Sequence, residues 1–218
     1  MADITLLSKA LTAYVHDHTT PEAPIFGELR EETHADLSSP QMQVGRVEGA
    51  FLKLMVQVSG ARRVLEIGTF SGYSAMAMAS GLPEGGELIT CDVDPEATAV
   101  ARRYWDRSPW GDKITLRLGD AKQTVAALAE AGERFDMVFI DADKTSYQRY
   151  WDLVLPMLPV GGIVLADNTL WSGRVLAPEG ESCRAIVAFN QQVREDPRVE
   201  QVLLSVRDGI MFARKLRD

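Results

Sequence analysis

Residues 63–74 read RVLEIGTFSGYS. The run from Val64 to Ile67 is short and apolar but for Glu66, and it ends in Gly68, with Gly72 four positions on. A strand apolar on both faces that turns through glycine into a helix opens a parallel sheet covered on both sides. Four further runs of the same kind follow: ELITCDV (87–93), KITLRLGD (113–120), DMVFIDA (136–142) and GIVLADN (162–168). Between them lie SGYSAMAMAS, PEATAVARRYW, AKQTVAALAEA and SYQRYWDLVLPML, which carry helical spacing. Strand alternating with helix predicts a doubly wound α/β fold.

The flanks differ. Residues 3–18 place Ile4, Leu7, Leu11, Tyr14 and Val15 at helical spacing, and Pro21–Pro24 interrupts that pattern. A second helix is predicted after Ser38-Ser39-Pro40, through GRVEGAFLKLMVQV, with the serines as caps and proline in the first turn. At the other end VEQVLLSVR (199–207) and IMFARKL (210–216) are joined by Asp208-Gly209. An Asp-Gly pair between strand runs is a hairpin signal, so the sheet is expected to finish with an antiparallel strand. No repeat or low-complexity segment divides residues 1–218, which read as a single domain.

Composition narrows the function. Hydrophobic residues form 46% of the 218 and charged residues 25%, ordinary values for a globular protein. Lys plus Arg total 23 against 31 Asp plus Glu, for a net charge of −8. That balance argues against nucleic-acid and anionic-membrane partners, which bind basic patches. The pairs Arg62–Arg63 and Arg102–Arg103 read as solvated element ends. Cys91 and Cys183 form no C-x-x-C pair and suggest reduced thiols. No signal peptide and no membrane span is evident, so a cytoplasmic enzyme is expected.

Ligands of doubly wound sheets sit outside the carboxyl ends of the strands. There the first turn places Glu66, Gly68, Thr69 and Ser74, and Asp92 ends the next strand 24 residues beyond Gly68, where an acid accepts from a ribose diol. The spacing is G-x-x-x-G, not the G-x-G-x-x-G that rests a pyrophosphate on a helix N-terminus. Glu66 would repel a pyrophosphate, whereas S-adenosylmethionine carries a sulfonium and an ammonium and no phosphate. Charge therefore favours the methyl donor over NAD.

The fourth run ends in Asp141-Ala142-Asp143-Lys144 and the fifth in Asp167-Asn168-Thr169. If those strands are neighbours, Asp141, Asp167 and Asn168 converge beside the cofactor. Oxygen donors without His or Cys suit a hard divalent cation, Mg²⁺ first, with Mn²⁺ and Ca²⁺ as alternatives. His16, His18 and His34 lie elsewhere in the chain. A cation on vicinal hydroxyls would favour the phenolate, and Lys144 is placed to take up the remaining proton.

At these residues the chain resembles the metal-dependent O-methyltransferases of the caffeoyl-CoA and catechol type. MQVGRVEGAFL, LEIGTFSGYSA, CDVDP, IDADK, ADNTLW and VRDGI carry the resemblance over nearly the whole length. It implies a Rossmann-like class I methyltransferase fold: a seven-stranded sheet ordered 3-2-1-4-5-7-6 with its last strand antiparallel, helices on both faces and extra N-terminal helices. It implies a homodimer and a donor pocket of Val44, Glu66, Gly68, Thr69, Ser74, Asp92, Ala121 and Asp141. Val44 stands where threonine is frequent, so its contact would be backbone only. The resemblance further implies a metal on Asp141, Asp167 and Asn168, catalysis by Lys144 with Asp141, and an acceptor beside Lys144, Asn168 and Trp171. The plant caffeoyl-CoA branch follows this tryptophan with Arg and Tyr that grip CoA. Here SGRVLAPEGESCRA (172–185) lacks tyrosine and carries Glu179 and Glu181. A small vicinal diphenol or polyphenolic natural product is therefore expected in place of a CoA ester. Amino-directed methyltransferases of related fold place Asn/Asp-Pro-Pro-Tyr where this chain has Asp-Ala-Asp-Lys, which disfavours a nucleic-acid or protein acceptor. A donor-binding scaffold without activity is the remaining alternative.

Overall fold

A computed structural model of the chain describes residues 7–218. In chain order the elements are α1 (Lys9–Asp17), α2 (Pro24–Asp36), α3 (Arg46–Ser59), β1 (Arg63–Ile67), α4 (Tyr73–Ala79), β2 (Glu87–Asp92), α5 (Pro95–Arg107), β3 (Ile114–Leu118), α6 (Ala121–Glu130), β4 (Met137–Ile140), α7 (Tyr147–Val154), β5 (Ile163–Ala166), α8 (Glu181–Glu195), β6 (Val199–Leu204) and β7 (Ile210–Lys215). The strands form one seven-stranded sheet in the order β3-β2-β1-β4-β5-β7-β6. The first five pair in parallel. β7 enters antiparallel between β5 and the edge strand β6.

Alternation along each strand sends side chains to two cores. Val64, Leu88, Met137, Phe139 and Leu165 pack under α2–α5 with Leu52, Val56, Met76 and Trp105. Leu65, Ile67, Ile89, Val138, Ile140 and Val164 pack under α6–α8 with Val125, Trp151, Ile186 and Phe189. This is why the strands carry apolar residues on both faces. In the second core Tyr147 and Trp151 meet Phe189 edge-on, with ring centroids 5.3 Å and 6.1 Å apart, a favoured aromatic arrangement. None of the described helices is long and apolar enough to cross a membrane. Cys91 and Cys183 are buried free thiols.

Several sequence expectations are corrected. The first helix starts at Lys9, with the Ser8 hydroxyl accepting from Leu11 N at 3.4 Å; Ile4 lies outside the described residues. The helical pattern is interrupted before Pro21 as expected, and Pro24 then begins a further helix, α2, because a proline at N1 lacks only an N–H that has no intrahelical partner. Ser39 makes no capping bond: residues Pro40–Met42 form a separate 3₁₀ turn, and α3 starts after Gly45. Arg62, Arg102 and Arg103 are exposed as expected, but Arg102–Arg103 lies within α5 and not at an end; Arg63 bridges Glu87 and Glu133, and Arg103 meets Glu32. Helix α8, for which no expectation was set, buries Cys183, Ile186, Phe189 and Val193 on one face.

Candidate active site

Hydrogen bonds between neighbouring strands align their carboxyl tips. Gly68 N donates to Cys91 O at 2.9 Å, Asp141 N to Ile67 O at 2.8 Å, and Asp167 N to Ile140 O at 3.0 Å. The residues immediately after β1, β4 and β5 therefore stand side by side. Gly68 has φ +104°, and a Cβ on it would lie 1.9 Å from the Asp141 carbonyl oxygen; only glycine lets the turn pass that tip. Gly72 has φ +81°, and a Cβ there would strike Ala101 and the Trp105 ring at 2.6–2.7 Å, so it seats α4 against α5.

A cavity of about 840 Å³ opens above these tips. Among the anticipated residues, Val44, Gly68, Thr69, Ser74, Asp92, Ala121, Asp141, Lys144, Asp167, Asn168 and Trp171 all line it. Asp92 also staples the turn: its Oδ2 accepts from Thr69 N at 2.9 Å and Phe70 N at 2.7 Å, and its Oδ1 from Asp94 N at 2.9 Å. Glu66 stands apart, buried beneath the floor on the α3–α5 side. Thr90 Oγ1 donates to its Oε2 at 2.6 Å, while Oε1 has no partner. Burial, opposed by neighbouring hydroxyls and reinforced by Asp141 and Asp92, pushes the Glu66 carboxyl up to about 8. Gln43 ties the N-terminal region to this turn, donating to Thr33 Oγ1 at 2.9 Å and Ser71 Oγ at 2.8 Å.

At the other end Lys144 Nζ donates to Asp141 Oδ1 and to Tyr147 Oη, each at 2.7 Å. The Tyr147 hydroxyl lies 3.2 Å from Ile140 O and 3.1 Å from Asp167 O. Burial, with the carboxylates around it, raises its pKa well above that of an ordinary phenol. Asp143 turns aside to accept from Tyr150 Oη at 2.6 Å. Asn168 has φ +59°, a left-handed conformation that asparagine tolerates better than most residues. Its Nδ2 reaches Asp208 Oδ2 at the long distance of 3.5 Å, which leaves the amide oxygen available.

Glu48 and Arg207 join the site without having been anticipated. Glu48, on α3, is fully buried and ion-pairs with Arg207, yet its Oε1 has no partner. Burial raises the Glu48 carboxyl; Arg207 draws it back and Asp141 adds to the rise. Burial and the charges of Glu48 and Asp141 raise Asp167 far above the carboxylate range. Glu48 was legible: with Leu52 and Val56 it occupies the buried stripe of α3 at four-residue spacing. The β6–β7 hairpin forms as expected, but its link is longer than Asp208-Gly209: it spans residues 205–209, and the Asp208 carboxylate accepts from Ser172 N while its carbonyl accepts from Leu170 N at 2.8 Å. Glu179 and Glu181 do not line the cavity, whereas Arg174 does.

The donor set suits a cation. Among the described residues no three His, Cys, Asp or Glu side chains form a metal-holding group; the anticipated set is two carboxylates and an amide oxygen. Asp141 and Asp167 gather beside Glu48, three carboxyl groups against the two cations Lys144 and Arg207, and the Glu48 Oε1 has no partner. Clustered oxygen donors whose ionisation a bound cation would favour fit a hard divalent ion.

The family model described as O-methyltransferase matches residues 16–216. A probable caffeoyl-CoA O-methyltransferase 2 from Dictyostelium discoideum is 34% identical, over 96% of this chain and 93% of its own length. The catechol O-methyltransferase domain-containing protein 1 of Mus musculus is 33% identical over 94% and 80% respectively. The crystal structure of an O-methyltransferase from Bacillus cereus in complex with SAH superposes with a TM-score of 0.87 at 30% identity, covering 94% of this chain and 97% of that one.

Proposed function

The chain belongs to the O-methyltransferase family, and on that premise we propose that it moves a methyl group from S-adenosylmethionine to one hydroxyl of a small vicinal diphenol with a divalent metal ion at Asp141, Asp167 and Asn168. The observation that carries the proposal is the alignment of the β1, β4 and β5 tips, which puts the glycine turn, those three oxygen donors and Lys144 in one cavity. The donor reading is supported by the SAH-bound neighbour and by an acid-rich wall suited to a cationic ligand. Gly68 leaves room for close backbone approach, and Val44, Thr69, Ser74, Asp92 and Ala121 surround that end, with Glu66 beneath it.

A divalent ion, when bound, supplies positive charge that favours the ionised phenol and orients its paired oxygens. Lys144, held by Asp141 and Tyr147, would take the hydroxyl proton as the neutral amine, after giving up its own. Asn168 and Trp171 flank the acceptor, so its oxygen is held in line with the donor methyl, where orientation provides much of the acceleration. The single-domain reading of residues 1–218 and a homodimer remain part of the proposal; exposed Leu54 and Val58 on α3 offer apolar surface for a second copy.

A second reading, methylation of caffeoyl-CoA, is favoured by the names of the relatives and by the absence of Glu179 and Glu181 from the cavity wall. An acceptor screen with labelled donor, with and without EDTA, separates the readings. Turnover of catechol or caffeate that stops in EDTA and returns with Mg²⁺ is expected. Preference for caffeoyl-CoA over those acceptors, or chelator-resistant turnover, would refute the proposal.

A further inference from the structure

Among the described residues, Arg174 is the cavity cation without a carboxylate. Of the four basic side chains lining the cavity, Lys122 lies 3.5 Å from Asp120 and 3.8 Å from Asp143, Lys144 pairs with Asp141, and Arg207 pairs with Glu48. Among the described residues Arg174 makes no ion pair. Its guanidinium lies over the Trp171 ring, 5.2 Å from the centroid, and its Nε donates to Trp171 O at 3.3 Å. Contact with an aromatic face and one backbone bond hold the guanidinium, leaving its terminal N–H groups for a ligand.

The segment that presents it is anchored. Trp171, Ser172 and Gly173 all have positive φ, and Asp208 holds the segment through Ser172 N and Leu170 N. A left-handed turn of this kind needs such external support. Arg174 is thus a charge placed at the wall of the acceptor end.

We infer that Arg174 binds a carboxylate on the acceptor, so that the preferred substrates are diphenols bearing a carboxylic acid. The inference rests on the diphenol reading above and names its substrate class. The diphenol reading sets the orientation: the paired hydroxyls face Asp141, Asp167 and Asn168 at the inner end, so the acid of such an acceptor turns outward to the unmatched cation. Charge sets the count. One guanidinium matches one carboxylate with two parallel hydrogen bonds, whereas the phosphates of a CoA ester call for several cations.

The test uses the full chain with donor and Mg²⁺, and compares caffeate, its methyl ester, catechol and caffeoyl-CoA in wild type, Arg174→Lys and Arg174→Met. For wild type, kcat/KM for caffeate is expected to exceed that for the methyl ester about fivefold, the upper end for an ion pair made by an exposed side chain. Arg174→Met should bring that ratio close to one, chiefly through KM, and Arg174→Lys should restore part of it. A wild-type ratio near one, which needs no variant, overturns the inference. Equal losses on acid and ester overturn it in favour of a structural role for the turn, and a loss confined to caffeoyl-CoA overturns it in favour of phosphate binding. Wild type that methylates none of the four acceptors refutes the diphenol reading itself, a distinct outcome.

Discussion

Glu66→Gln should stabilise the donor-free protein at neutral and alkaline pH, by an amount that grows with pH. Glu66 is wholly buried, one oxygen lacks a partner, and burial raises its carboxyl from 4.5 to about 8. An unfolded chain releases that proton near pH 4.5, while the folded chain keeps it until about pH 8. Between those values the native state holds more protons than the unfolded state, so stability falls as pH rises. The stability is fully present below pH 4.5 and is lost by the time pH passes the folded value. At about 1.4 kcal/mol per pH unit, the loss is about 3 kcal/mol at pH 7 and about 5 kcal/mol once pH exceeds 8. Glutamine resembles the protonated acid, so denaturant unfolding of wild type and variant should give similar midpoints at pH 4.5 and widely separated ones at pH 8.5. Subtracting the two profiles removes every other group that titrates alike in both proteins. Parallel profiles from pH 4.5 to 8.5 would refute the reasoning.

Gly68→Ala should abolish donor binding in calorimetry and destabilise the fold, since strained φ alone costs about 1–3 kcal/mol and the new Cβ would overlap the Asp141 carbonyl; near-normal donor affinity would refute the close-packing argument. Lys144→Met should lower kcat about 10²–10⁴-fold at neutral pH and recover part of it in alkaline buffer, where the diphenol ionises unaided. An unaltered pH–rate profile would remove Lys144 from proton transfer. Arg207→Met should cost about 3–5 kcal/mol by stranding Glu48 in the interior, and the double variant with Glu48→Gln should regain much of it. Additive losses in denaturation would show that the two side chains act independently.

Those variants also mark which parts of the molecule could be read from sequence. The strands could, because a strand buried on both faces has no polar alternation to hide it, as in Met137–Ile140 and Ile163–Ala166. Their tips followed from the general rule that such sheets bind ligands at the carboxyl edge. Two helices escaped attention for local reasons. α2 buries only Phe26, Leu29 and Thr33 among many charged residues, and α8 hides a stripe of Cys183, Ile186, Phe189 and Val193 behind a Pro-Glu-Gly start.

The turn from Asn168 to Arg174 was illegible for a different reason. Its left-handed residues are not glycines except at Gly173, so nothing in their own identities announces the conformation. What supports it comes from a hairpin link some 40 residues downstream, where Asp208-Gly209 read as a purely local turn signal. Asp208 instead spends its carboxylate and carbonyl on Ser172 and Leu170, and the preceding Arg207 reaches Glu48 on α3. One link thereby joins the wall of the acceptor end to the buried acid behind Asp167. The chemistry of the strand tips is encoded next to the strands, whereas the shape of the acceptor wall depends on contacts between distant segments. Substitutions in residues 205–209 should therefore alter acceptor choice more than donor affinity, although none of the sequence signals for an acceptor lies there.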